Sequence, residues 1–586
     1  MISIKKYSGI LSIFLVMGVL LLALGCTNIF PIKPPVDDWL FNGSMMYEDD
    51  ATGGVNYRMY NSAPVQTTKM VESFDMAAGD SIGFSVGGSK DINNFRNNIE
   101  NDFLPIATDV THEGLFYDYY FDTGLSKECE KLFCPSYTYA ISEDPFSNDD
   151  EFYLSVGLNS GIKESDFERK KLNLVVVLDI SGSMGSSFNK YYYDQFGNRQ
   201  ENDISEEDMK KTKIEVASEA IVDLLGHLED DDYFSMVLFD DSAVLAKGFN
   251  QVGQTDMDAI EEHILELYSR GGTRMSAGYD MASDQFDELL EIDYEEYENR
   301  IIFLTDAQPN QGDLSEEGML GRTKSNADKG IYTTFIGIGV DFNTELIEKI
   351  TKIKGANYYS VQSNKEFEER MDEGFEFMVT PLVFDLELKL EADGYEIVKV
   401  YGSPEADEAT GEIMYVNTLF PSKTEGGETK GGIVLLKLKK IDSDGTLKLK
   451  VSYEDRNGVE DSSEEEISFG SESADFYDNT GIRKAILLSR YANLAKNWII
   501  DEREAKVLER PVDEPCYECG IVIPPDHYEL GRWERQSTPL EVSSQYQEMF
   551  SDFMDYFEDE MDEIGDETLS KELEILAKLA GEITIQ

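Results

Sequence analysis

Residues 172–184, LNLVVVLDISGSM, constrain the fold of this chain more than any other stretch. The valine- and leucine-rich run lacks the alternation of a half-exposed strand. It predicts a central strand buried on both faces, as a parallel sheet requires. The run ends on a polar cluster of Asp179, Ser181, Gly182 and Ser183. In open α/β sheets ligands bind in the crevice beyond the strand ends, so one carboxylate and two hydroxyls there make a site candidate. A donor set made of oxygen, with few direct charges, suits a hard cation such as six-coordinate Mg2+, which keeps waters or takes an outside ligand.

Two downstream stretches complete the same chemistry: Gly271-Gly272-Thr273 ahead of a predicted helix, and RIIFLTD, an apolar strand ending on Asp306. Read singly, DISGSMGSS is a flexible turn and Asp306 a helix cap. Together, in order and each after a buried strand, they make a metal-competent set. This set, D-x-S-x-S, a lone Thr, then T-D-x-x-P-N, resembles the metal-ion-dependent adhesion site (MIDAS) of the von Willebrand factor type A (VWA) family. The resemblance implies a Rossmann-like α/β fold with a doubly wound, mostly parallel sheet. It further implies that Ser181, Ser183 and Thr273 touch the metal, that Asp179 and Asp306 hold it directly or through water, and that an Asp or Glu carboxylate of a protein partner takes the remaining position. The implied metal is Mg2+, with Mn2+ or Ca2+ as alternatives. Ala307 stands where the family often has glycine, a departure that touches backbone freedom and not ligation.

A chain of 586 residues predicts several domains. Its 116 acidic against 51 basic residues give a formal charge of -65. Such a charge repels nucleic acid and anionic lipid; it suits a saline or cation-rich setting, but a highly soluble surface is the preferred reading. Residues 1–26 have the parts of a secretory signal: Lys5 and Lys6, an apolar run, then Gly25-Cys26. Ala23-Leu24-Gly25-Cys26 resembles a lipobox, in which Cys26 is lipidated and becomes the mature amino terminus, so the rest of the chain is expected outside the membrane on a lipid anchor. The alternative is an uncleaved amino-terminal anchor.

Residues 27–70, with Pro31, Pro34 and Pro35, read as a flexible tether. Residues 71–170 read as a mixed α+β region, in which FSVGGSKDINNFRNNIEN looks like the segment preceding the A domain in bacterial surface lipoproteins of the family. Within it Gly83-Phe84-Ser85-Val86-Gly87 fits the hydrolase pattern G-x-S-x-G. The four histidines of the chain offer no recognisable triad, so a strand-to-helix turn is the preferred reading.

The VWA domain is expected over residues 171–380, with helices and strands in alternation. An insert over residues 188–208 carries Tyr191, Tyr192 and Tyr193 beside the metal crevice, where they contact a partner or pack on the neighbouring domain. Residues 381–470 switch to a period of two, as in FDLELKL, and predict an antiparallel β-sandwich-like domain. Residues 471–586 read as mainly helical, with Tyr546, Met549, Phe550, Phe553 and Phe557 as a core stripe. Cys129 with Cys134 and Cys516 with Cys519 make two local pairs, read first as disulfides, with free thiols or zinc as the other states.

These features point to an extracytoplasmic, lipid-anchored protein that binds a protein partner through a metal, rather than to an enzyme. An envelope-assembly or complex-scaffolding factor is the second expectation, and a metal-dependent hydrolase the third. The absence of a second hydrophobic span argues against a pore.

Overall fold

The structure is a computed structural model. It describes residues 34–42, 81–90, 92–100, 102–186, 192–193, 199–200, 211–287, 289, 296–306, 316–338, 352–361, 371, 374–404, 413–441, 446–467, 475–509 and 539–582.

The valine-rich run forms β1 (Lys171–Asp179), and every residue after Lys171 is buried. It is flanked by β2 (Tyr233–Phe239) and paired through it to β3 (Ala243–Gln251), while β4 (Tyr297–Thr305), β5 (Ile331–Ile338) and β6 (Asn357–Val361) extend the sheet on the other side. The order is β3-β2-β1-β4-β5-β6, parallel throughout except for the β3 edge, and Gly88–Ser89 adds a short seventh strand beside β6. Alternate side chains of β1 serve two cores. Leu172, Leu174, Val176 and Leu178 pack with α1 (Lys213–Leu225) and α2 (Met257–Leu265), whereas Val175 and Val177 pack with α3 (Met275–Asp287) and Met319 of α4 (Glu316–Ala327). Both faces are therefore covered, which is why the run shows no polar alternation. Each buried Val or Leu contributes roughly 1.5–3 kcal/mol, and the three consecutive valines also suit the pleat.

The remaining strands pair differently from the boundaries read in the sequence. Strand Ser81–Val86 lies between Asp150–Lys163 and Ile413–Ser422, antiparallel to both, within one ten-stranded sheet that also holds Val383–Asp393 and Thr446–Asp455. The described strands of regions 71–170 and 381–470, expected as separate units, thus share a sheet and a core, and the parallel α/β sheet lies between them in the chain. The period of two is fulfilled: Phe384, Leu386, Leu388 and Leu390 are all buried in that core or at its edge. Leu435 is buried too, because it packs on the opposite face against helices.

That helical core joins the two chain ends. Helices α5 (Thr480–Glu509), α6 (Ser544–Ile564) and α7 (Ser570–Leu579) pack with Asn93–Glu100 and His112–Tyr117, and the expected stripe Phe550, Phe553 and Phe557 is fully buried against Tyr491 and Trp498. A buried polar knot fastens this joint. Arg96 Nε and the Tyr119 hydroxyl donate to Glu572 Oε1 at 3.0 and 2.8 Å, and Arg96 Nη1 donates to Asp118 Oδ2 at 2.8 Å.

Part of the expected tether is docked. Leu40 N–H donates to Ala246 O, Trp39 stacks on His263 at 5.3 Å, and Asp38 pairs with the buried Lys247 at 3.1 Å, so residues 34–42 lie along the open edge at β3. An unpaired edge exposes backbone donors and acceptors, and covering it with a short segment satisfies them. Cys129 and Cys134 form the expected disulfide. Cys26, Cys516, Cys519 and Tyr191 lie outside the described residues, whereas Tyr192–Tyr193 forms a two-stranded ribbon with Arg199–Gln200. Ser85 sits inside a buried strand pair, opposite Phe420, and accepts from Lys90 Nζ at 2.9 Å, so the G-x-S-x-G segment is core strand and not the strand-to-helix turn expected of it. Among the described residues no helix is long and apolar enough to cross a membrane.

Candidate metal centre

Strand register brings the two carboxylates together. Because β1 and β4 are parallel neighbours with Leu178 opposite Leu304, Asp179 ends one strand beside Thr305, and Asp306 follows at the mouth of the sheet. The crevice lies where the strand order changes direction, between β1 and β4. Asp179 and Asp306 are both 0% exposed.

Hydroxyls complete the cluster. Ser181 and Ser183 Oγ are 3.1 Å apart, and Ser183 Oγ donates to Asp306 Oδ1 at 2.9 Å. Asp179 accepts from Ser181 N–H at 2.8 Å and from the Thr305 hydroxyl at 2.6 Å. Thr273, 2% exposed, sits on the loop that opens α3, and backbone bonds pin that loop to the first one: Gly182 N–H to Gly271 O at 3.0 Å and Arg270 N–H to Ile180 O at 2.6 Å. Gly271 makes the turn with φ +69, and a Cβ there would meet Asp241 Oδ2 at 2.8 Å, so glycine is required.

Four neighbouring groups were not read from the sequence. Thr305 orients Asp179. Asp240, at the end of β2, holds Arg270 Nε at 2.8 Å and so fixes the Thr273 loop. Phe41 of the docked segment covers the Arg270 guanidinium at 5.0 Å. Lys213, the first residue of α1, is 5% exposed and places Nζ 3.3 Å from Asp306 Oδ2. A capping box between Thr212 and Glu215 starts that helix at the required point. A T-K-x-E start signal was available for the cap, but no local signal tells that Lys213 turns toward Asp306.

Burial first, and then the adjacent Asp306 carboxylate, push Asp179 up to about 7. Two buried carboxylates side by side are disfavoured without added positive charge, and a divalent cation supplies it. The donors fit such an ion: two carboxylates and three hydroxyls, oxygen throughout. Among the described residues no group of three or more His, Cys, Asp or Glu is placed to hold a metal ion.

Residues 174–308, which span this crevice, match the family model described as the von Willebrand factor type A domain. Proximal thread matrix protein 1 from the mussel byssus, a solved structure 16% identical with a TM-score of 0.28 over 37% of this chain and 49% of that one, is described with a zinc-occupied MIDAS motif. The chain is similar to inter-alpha-trypsin inhibitor heavy chain H1 of Sus scrofa, 22% identical over 190 residues that cover 32% of this chain and 21% of the relative. It is 26% identical over 189 residues to an uncharacterised protein of Synechocystis sp., covering 32% of this chain and 37% of that one. The chain spans about a fifth of the length of the heavy-chain relatives it matches. Among solved structures, a von Willebrand factor type A protein from Catenulispora acidiphila is 14% identical with a TM-score of 0.40, over 64% of this chain and 82% of that one.

Proposed function

We propose that this protein is an extracytoplasmic protein, anchored through lipid at Cys26, that binds a protein partner by a divalent metal, Mg2+ or else Mn2+ or Ca2+, in its MIDAS. The observation that carries the reading is that the buried Asp179, Ser181 and Asp306 and the half-buried Ser183 gather at the ends of two strands, Ser183 bonded to both Ser181 and Asp306, with the buried Thr273 on a loop pinned to theirs by backbone bonds. The metal, when bound, supplies an open coordination position for an Asp or Glu carboxylate of the partner. Asp179 and Asp306 balance its charge, and the hydroxyls of Ser181, Ser183 and Thr273 orient it without neutralising it further. The site is read as one for binding and not for catalysis, since a metal with an open position needs only an incoming carboxylate to complete it. Tyr191, Tyr192 and Tyr193, which follow the first site loop in the sequence, are proposed as contacts for the partner.

The test is partner capture in Mg2+ against EDTA by wild type and Thr273→Ala. Capture in Mg2+ alone, lost in the variant while circular dichroism is unchanged, is expected; equal capture by both would refute the metal reading. The anchor is tested separately. Cys26→Ser is expected to move the protein out of the membrane fraction, and unchanged retention would overturn that part.

A further inference from the structure

Asp306 divides its two oxygens between different neighbours: Oδ1 takes the Ser183 hydroxyl at 2.9 Å, and Oδ2 faces Lys213 Nζ at 3.3 Å. Asp179, by contrast, is held by neutral donors, Ser181 N–H and the Thr305 hydroxyl. The ammonium cannot readily leave, because the Lys213 backbone N–H is tied to Ser186 O at 2.9 Å and its side chain is 6% exposed.

We propose that Lys213 is the residue that sets the charge of the metal-carrying site, weakening metal uptake by the free protein and favouring an anionic partner once metal is present. The inference rests on the metal reading above. Counting Asp179, Asp306 and Lys213, the cluster carries about one negative charge before a dication binds and about one positive charge after it. With a neutral side chain in place of Lys213, those values become about two negative and zero. Two consequences follow. A buried ammonium opposes the incoming cation, since charges at such range interact strongly where water is excluded. The filled site then keeps a local positive charge on a chain whose formal net charge is -65, where an incoming carboxylate otherwise meets repulsion. Metal and acidic partner therefore reinforce one another: the carboxylate completes a site that metal alone fills weakly.

The experiment is calorimetric titration of the full chain with Mg2+ alone, comparing wild type, Lys213→Met and Lys213→Arg at one ionic strength, with circular dichroism as the check on folding. Lys213→Met is expected to bind Mg2+ about tenfold more tightly or better, and Lys213→Arg, which keeps the charge, to stay within about threefold of wild type. Lys213→Gln removes the same charge should the methionine variant misfold. Equal or weaker Mg2+ binding by the folded neutral variants, beside a wild type that binds, overturns the role of Lys213 and leaves the metal site standing. Absence of binding in every form overturns the metal reading itself.

Discussion

Asp179→Asn separates the electrostatic cost of the site from its use. In metal-free protein near pH 8, Asp179 is ionised, fully buried and next to Asp306. Its acid is raised from 3.8 to about 7, and about three units at roughly 1.4 kcal/mol each make about 4 kcal/mol. The sign is unfavourable to the folded state. A raised acid costs nothing below its unfolded value, loses stability as the pH climbs from 3.8, and carries the full penalty above about 7. The asparagine has one acceptor oxygen where Asp179 uses two, so either Ser181 N–H or the Thr305 hydroxyl loses its acceptor, at a cost of about 2 kcal/mol. A net gain of about 2 kcal/mol remains, which raises the Tm of a domain of this size by about 4–8 °C. Scanning calorimetry in EDTA reads this directly. Added Mg2+ should then raise the wild-type Tm, since a ligand at about a hundred times its Kd stabilises by about 2.7 kcal/mol, and should leave the variant where it was. A variant less stable than wild type in EDTA, or one that gains as much from Mg2+, would refute the reasoning.

Two predictions concern the scaffold. Arg96→Met strands the fully buried Glu572 carboxylate and should cost about 3–5 kcal/mol in urea unfolding; a loss under about 1 kcal/mol would show that the knot joining the chain ends is dispensable. His112 is buried against Tyr401, and burial, then Lys496 and Lys399, lower its pKa from 6.5 to about 3. The unfolded chain therefore takes up a proton first as the pH falls below about 6.5, and about 2 kcal/mol is lost from this residue by about pH 5. Urea midpoints at the two ends of that range should converge in His112→Phe, and an unchanged pH dependence would contradict the assignment.

The site was legible because its chemistry is local. Asp179, Ser181 and Ser183 fall within five positions at the end of a buried strand, Asp306 follows another, and Thr273 stands between two helices behind a Gly-Gly turn. The parallel sheet was legible for the same reason, except for β3, whose sequence AVLAKGFNQ carries no clean period, and for Gly88–Ser89, too short to carry one. What stayed hidden was non-local. The antiparallel sheet pairs Val86 with Leu419 across more than three hundred residues, and no pattern within either strand names its partner. Lys213 was hidden likewise: its position as a helix start is a sequence property, whereas its contact with Asp306 depends on how β1, α1 and β4 meet. The docking of Trp39 and Phe41 was masked by Pro31, Pro34 and Pro35 just ahead of them, which read as a tether although the apolar residues that follow suit an edge.

Anomalous diffraction from crystals grown with Mn2+ tests the central claim most directly. One strong peak is predicted among the oxygens of Asp179, Ser181, Ser183, Thr273 and Asp306, within about 2.0–2.5 Å of those that bind directly. An ordered, well-resolved site with no peak there, or a peak held by other residues, would contradict it.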